Sequence, residues 1–251
     1  LFDILTHYNL DSIYISDINA ELINAYRVIR DDVEGLISLL SSLQDEYLSI
    51  ELESRKDYYY AKRDRFNNLK INIDDSINVE KAALFIFLNK TCFNGLYRVN
   101  RKGLFNVPIG AYKNPCICDS ENLINISKAL QNVTIVCGDF EESEKFIDKN
   151  TFAYFDPPYR PISDTANFTA YSENVFDDSE QIRLARFVKK IASKGVRIVV
   201  SNSDPKNTIK EDSFFERLYS SFNITRVEAT RMINCNSDNR GKINELLISN
   251  Y

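Results

Sequence analysis

Tryptophan is absent, methionine and histidine occur once each, and glycine supplies 7 of 251 residues. The lone histidine, His7, has no companion ligands, so a surface or helix-end role is expected rather than a metal centre. The five cysteines (Cys92, Cys116, Cys118, Cys137, Cys235) are odd in number and irregularly spaced, with no Cys-x-x-Cys pair. Neither a disulfide framework nor a structural zinc site is indicated, and buried thiols are expected. No apolar run reaches the roughly 18 residues a membrane span requires. The first residues carry neither a basic region nor a signal-like apolar core, which points to a cytoplasmic protein.

What is present suits a globular α/β protein: 44% hydrophobic residues in a length that allows one domain with an insertion, or two small domains. The net charge of −5 argues against a nucleic-acid partner until its distribution is considered. Residues 54–118 hold 12 Lys/Arg against 5 Asp/Glu, and between Lys81 and Cys118 there are six basic residues and no acidic one. A basic segment inside an acidic chain is the footprint of a polyanion site.

The chain is organised around Thr151–Tyr159, where an apolar run stops in a carboxylate, two prolines and an aromatic ring. The run reads as a buried parallel strand. Pro157 and Pro158 lack a backbone N–H, so the chain leaves the sheet just after Asp156. Ligands of open α/β sheets bind outside the carboxyl ends of the strands, which puts Asp156 and Tyr159 at a substrate. Such a group can act on a nucleobase amine, whose lone pair is delocalised into the ring. If the Asp156 carboxylate and the Pro157 carbonyl accept its two N–H bonds, the nitrogen is drawn towards tetrahedral geometry and the lone pair is freed. Tyr159 can stack on the base.

Earlier in the chain, Leu1–Leu10 reads as a helix end and Ile13–Ile15 as a strand ending at Ser16-Asp17. Asn19 caps an amphipathic helix carrying Leu22, Ile23, Tyr26 and Ile29. An acid in that position can accept both hydroxyls of a ribose. Helical periods follow through Val33–Leu48, Lys56–Lys70 and Val79–Leu88, and Lys102-Gly103 suits a tight hairpin. The α/β rhythm then resumes. Val133–Cys137 is a strand closed by Gly138-Asp139-Phe140, Glu141–Ile147 a short helix, and Glu180–Ser193 an amphipathic helix stopped by Gly195. Val196–Val200, Ile224–Ala229 and Ile243–Ser249 are strands, and the Asn/Asp/Gly-rich stretch between the last two predicts an antiparallel hairpin.

Four features in this order carry a family resemblance: Asp17 after an early strand, Phe93-Asn94-Gly95-Leu96-Tyr97-Arg98 ahead of Phe105-Asn106-Val107-Pro108, Asp156-Pro157-Pro158-Tyr159, and Phe168-Thr169-x-Tyr171. Together they resemble the Dam-type (D12 class) DNA adenine N6-methyltransferases, including those of bacterial restriction–modification systems. The resemblance implies a class I S-adenosylmethionine-dependent methyltransferase fold with an inserted helical target-recognition domain and a β-hairpin that enters DNA. It implies methyl transfer to a flipped adenine, usually in GATC. Residues 1–40 and 119–251 are then the two parts of a catalytic domain, and residues 41–118 the insertion.

Carried over residue by residue, the resemblance puts Asp17 on the cofactor ribose, Asp139 and Phe140 around the cofactor adenine, and Asp156, Pro157 and Tyr159 at the flipped base, with Asp156 also among the cofactor-binding residues. In the hairpin it stacks Phe93 into the duplex, sets Asn94 on a phosphate, Leu96 and Pro108 against bases and Arg98 on a guanine, with Lys102 and Tyr112 also on DNA. Arginine is the side chain best matched to guanine O6 and N7. Double-stranded DNA is the expected partner, with a cognate restriction endonuclease acting on the same site without direct contact. The family also has a first strand and a Gly-rich loop that contacts the cofactor's methionine portion, and the chain from Leu1 is expected to begin just after them. Two alternatives remain open at this level: amino-methylation of cytosine, RNA or protein glutamine, and a catalytically idle DNA-binding module.

Overall fold

Five helices begin at an Asn or Asp whose side-chain oxygen accepts amide hydrogens that the first turn leaves unmatched: Asn19, Asp32, Asn78, Asp119 and Asp177. These caps set where the helices start in a computed structural model that describes residues 1–69, 77–160, 176–230 and 242–251. The chain divides into two units, Leu1–Phe140 and Glu141–Tyr251. Phe168, Thr169, Tyr171, Cys235 and the Asn/Asp/Gly-rich stretch lie outside the described residues.

The first unit runs α1 (Phe2–His7), β1 (Ile13–Asp17), α2 (Ala20–Asp31), α3 (Val33–Ser49), α4 (Arg55–Asn68), α5 (Val79–Thr91), α6 (Ser120–Leu130) and β2 (Val133–Cys137). β1 and β2 pair in parallel, Ile13 opposite Val133 and Asp17 opposite Cys137. Helix α5 is buried along much of its length, through Ala82, Ala83, Leu84, Phe87 and Leu88, and so forms the centre of the helical core. Phe87 meets Tyr47 of α3 and Tyr58 of α4 edge-on, with centroids 5.5 and 5.9 Å apart. Two buried cations serve as staples. Arg55 donates to the carbonyls of Leu48, Ile50 and Lys113 and lies over the Tyr47 ring. Lys81 donates to the carbonyls of Phe66 and Leu69 and pairs with Glu21 at 3.3 Å.

The second unit holds β3 (Phe152–Phe155), α7 (Asp178–Ala192), β4 (Arg197–Ser203), α8 (Phe214–Leu218), β5 (Asn223–Thr230) and β6 (Lys242–Ser249). Its sheet has the order β3-β4-β6-β5, with β3 parallel to β4 and β6 antiparallel to both β4 and β5. The β5–β6 pair is the expected hairpin. The architecture is mixed α/β, compatible with a methyltransferase fold. Among the described residues no helix is long and apolar enough to cross a membrane.

Three sequence expectations need correction. The run at 151–155 is not a buried central strand, because among the described residues β3 pairs with β4 alone, at the end of its sheet. Phe152 and Tyr154 are 50% and 54% exposed, and only the alternate face is covered, where Phe155 packs edge-on against Phe187 of α7. Strand β4 does not stop with its apolar run at Val200, because β6 pairs onward with Ser201, Asn202 and Ser203. The short helix expected over Glu141–Ile147 is present, as a 3-10 helix over Phe140–Phe146. Finally, Cys92 is buried as expected of a thiol in an apolar setting, whereas Cys116 and Cys137 are exposed.

Candidate functional site

The turn after β3 is held by side chains from two neighbouring elements. Ser201 of β4, buried, donates to Asp156 Oδ1 at 2.6 Å and accepts from the Tyr154 hydroxyl at 3.1 Å. Gln181 of α7 donates to the Pro158 carbonyl at 3.0 Å and accepts from the fully buried Asn202 at 3.2 Å. Asn202 Oδ1 takes the Arg160 backbone N–H at 3.0 Å, and Ser203 donates to the Arg160 carbonyl at 2.8 Å. Successive strand residues point to opposite faces, so β4 grips the turn from both sides. The Arg160 guanidinium then ties off the turn, bidentate to Asp178 at 2.6 and 2.9 Å, bonded to Asp212 at 2.7 Å, and over the Phe214 ring. Its bond to Asp178, reinforced by Asp212, holds it above the usual arginine range.

Those bonds occupy the carbonyls of Pro158 and Arg160. The Pro157 carbonyl and Asp156 Oδ2 have no partner among the described residues. Tyr159 stands beside them, 38% exposed. Burial pushes its phenol above the ordinary value, while a hydrogen bond to Ser201 opposes the shift. Sequence reasoning singled out Asp156, Pro157 and Tyr159 and passed over Ser201, Asn202, Gln181 and Arg160, which brace the same turn. The signal was the polar run Ser201-Asn202-Ser203-Asp204 directly after an apolar strand, which by local chemistry reads as a turn.

A second group forms in the first unit, at the carboxyl ends of β1 and β2. Asp17 Oδ1 accepts the Asn19 N–H at 2.7 Å, which shapes the entry to α2. The Gly138 N–H donates to the Asp17 carbonyl at 3.1 Å, and with Asp17 opposite Cys137 this brings Asp139 and Phe140 to the same end as Asp17. Asp17 is exposed. Its charge, added to burial, raises the Tyr26 phenol.

The basic segment folds as an irregular ribbon rather than as paired strands. Single bridges join Cys92 to Ile109 and Val99 to Phe105, and the turn closes with Gly103 N–H to the Asn100 carbonyl at 2.9 Å. Gly103 has φ 71°, the left-handed conformation that a type I turn followed by a bulge requires and glycine adopts without strain. Asn94 also has positive φ, at 55°, and the neighbouring Phe93 is 52% exposed. Phe93, Asn94, Arg98, Lys102, Pro108 and Tyr112 are all exposed. Leu96 is the exception, half-buried against the helical core. Arg98 is tied by its Nε to Asn106 Oδ1 at 2.8 Å. At the base of the ribbon the Tyr97 hydroxyl donates to Glu21 at 2.7 Å, the same carboxylate that pairs with Lys81.

A family model described as D12 class N6 adenine-specific DNA methyltransferase matches residues 2–233. The Type II methyltransferase M.MjaIII of Methanocaldococcus jannaschii is 51% identical over 252 residues, covering 100% of this chain and 84% of the relative. The Type II methyltransferase M1.LlaDCHI of Lactococcus lactis subsp. cremoris is 42% identical, covering 94% and 78%. A DNA adenine methylase of Haemophilus influenzae is 34% identical, covering 95% and 78%. With a match over nearly its whole length, the chain belongs to the D12 class: it is an adenine-specific DNA methyltransferase.

Proposed function

We propose that this enzyme methylates the exocyclic N6 amine of an adenine turned out of a DNA duplex, with S-adenosylmethionine as donor and GATC as the site. The reading rests on one observation, the pair of unmatched acceptors, Asp156 Oδ2 and the Pro157 carbonyl, on a turn braced through Asp156 Oδ1, the Pro158 carbonyl and the Arg160 backbone. Two acceptors aimed at one amine take both of its N–H bonds and let its lone pair leave conjugation with the ring. Because the turn is fixed beforehand, little reorganisation is needed as charge develops on the nitrogen. Tyr159 stacks on the extruded base in place of the neighbours it had in the duplex.

The residues at the end of β1 and β2 fit the cofactor. Asp17 has one oxygen engaged by its own turn, and the carboxylate is exposed at a strand terminus, the arrangement that accepts ribose hydroxyls. Asp139 and Phe140 would flank the cofactor adenine. When bound, S-adenosylmethionine supplies an electrophilic methyl group. The protein's part is to hold the amine, orient its lone pair and stack the base.

Residues 41–118 are assigned to target recognition. Exposed Phe93 enters the duplex, Asn94 and Lys102 meet phosphates, Arg98 reads a guanine, and Pro108, Tyr112 and, less accessibly, Leu96 lie against the DNA. The one-sided charge of the ribbon supports this reading, which includes a cognate endonuclease acting at the same site without direct contact. Methyl incorporation into duplexes that differ by a single GATC is the test. Incorporation confined to the GATC duplex is expected, and equal incorporation into a duplex without it would overturn the site assignment.

A further inference from the structure

We infer that Ser201 is a positioning residue for the methyl transfer, acting through Asp156; the inference rests on the reading of Asp156 as the acceptor for the target amine. Asp156 is exposed and is the last residue before two prolines, so nothing in its own backbone fixes the rotation of its carboxylate. A carboxylate free to rotate would present either oxygen, or neither, to the amine. The Ser201 hydroxyl removes that freedom. It lies 2.6 Å from Oδ1, the short distance of a hydrogen bond to an ionised acceptor.

The geometry around Ser201 leaves its proton little choice. The side chain is 3% exposed, so water does not compete for the hydroxyl. The Phe155 carbonyl, at 3.4 Å, and the Tyr159 phenol are the other acceptors within reach, and both are uncharged, so the ionised carboxylate is the stronger acceptor. From the other side the Tyr154 hydroxyl donates to Ser201 Oγ, so a chain of two O–H groups runs from Tyr154 through Ser201 to Asp156, each polarising the next. With Oδ1 committed, Oδ2 is the oxygen left for the amine. The same strand fixes the turn itself through Asn202 and Ser203 on the Arg160 backbone, and Gln181 takes the Pro158 carbonyl. Ser201 is the one member of this set that touches the reacting carboxylate.

A residue that only supports the fold and one that aims a carboxylate differ in what their loss changes. Ser201→Ala is expected to lower kcat roughly ten- to a hundredfold, the size of a lost charged hydrogen bond plus lost orientation. KM for duplex DNA and for S-adenosylmethionine should move by no more than about threefold, since ground-state binding is retained. Ser201→Thr keeps the hydroxyl and should recover most of kcat. Ser201→Cys keeps the volume but donates weakly, and it decides the matter should the alanine variant fail to fold. Steady-state kinetics of these variants would be run beside Asp156→Ala. An active Asp156→Ala overturns the reading of the site. An inactive Asp156→Ala together with a Ser201→Ala and a Ser201→Cys that keep wild-type kcat overturns the role of Ser201 alone. So would losses that appear in KM or thermal stability with kcat intact.

Discussion

At Asp156 the effect of substitution follows from when its hydrogen bonds matter. In the proposed role as acceptor for the target amine they strengthen as the nitrogen pyramidalises, so Asp156→Ala should reduce single-turnover methylation by at least about a hundredfold while changing duplex affinity little. A fluorescence binding titration beside a rapid-quench assay separates the two, and a rate near wild type would contradict the assignment. The ribbon divides differently. Arg98 now holds Asn106 and, in the proposed role, exchanges it for a base edge, so Arg98→Ala should cost about 1–3 kcal/mol of discrimination at one guanine. Lys102, exposed in the turn, should contribute to all sequences alike: Lys102→Ala is expected to weaken binding uniformly and flatten the salt slope by about 1. Rates on singly substituted GATC duplexes at several salt concentrations check both, and an Arg98→Ala enzyme with intact preference would assign the reading to another residue.

At the scale of elements, the link between α2, α5 and the ribbon makes its own prediction. Glu21 in the first turn of α2 accepts from Tyr97 and pairs with Lys81 of α5, whose other donors close on the carbonyls of Phe66 and Leu69 at the end of α4. Burial pushes the Lys81 ammonium below its ordinary range, with Glu21 opposing. Lys81→Ala would leave these carbonyls and Glu21 without their cation, and should destabilise the chain by about 3 kcal/mol. Urea unfolding measures this, and a loss under about 1 kcal/mol would show that the site relaxes. Such long-range links were not legible in the sequence, because nothing local joins Glu21 to Lys81 or Tyr97. What was legible had local causes: Asn19 before an amphipathic helix, Val133–Cys137 as an apolar run, and the antiparallel pairing of β5 with β6. The candidate site divided along the same line. Asp156-Pro157-Pro158-Tyr159 announces itself by its prolines, whereas Ser201 and Asn202 look like turn residues until β6 pairs with them. Tertiary pairing overrode local preference there, and also decided that β3 would be half exposed.

For the whole molecule, the buried phenols predict how stability responds to alkali. Burial raises Tyr47, Tyr58, Tyr59, Tyr97 and Tyr219 above the ordinary phenol value of about 10, and Glu46 adds to the shift at Tyr58 as Glu21 does at Tyr97. The folded chain therefore keeps protons that the unfolded chain releases. Stability from these groups is complete below about pH 10 and is lost progressively as pH rises beyond it. On the acid side the sign reverses. The Tyr58 hydroxyl holds Glu46, and Arg65 holds Glu80, below the usual carboxylate range, so their contribution is present above the ordinary value and lost as pH falls. Both carboxylates are substantially exposed, and the acid limb should be the shallower for it. With no tryptophan and 14 tyrosines, absorbance at the tyrosinate band reports phenol ionisation without interference. Titrated together with circular dichroism, most of the buried phenols should ionise in the same step in which helicity is lost, above the ordinary phenol value of about 10. If all 14 phenols ionised near pH 10 with the helical signal unchanged, the packing described around α5 would be wrong.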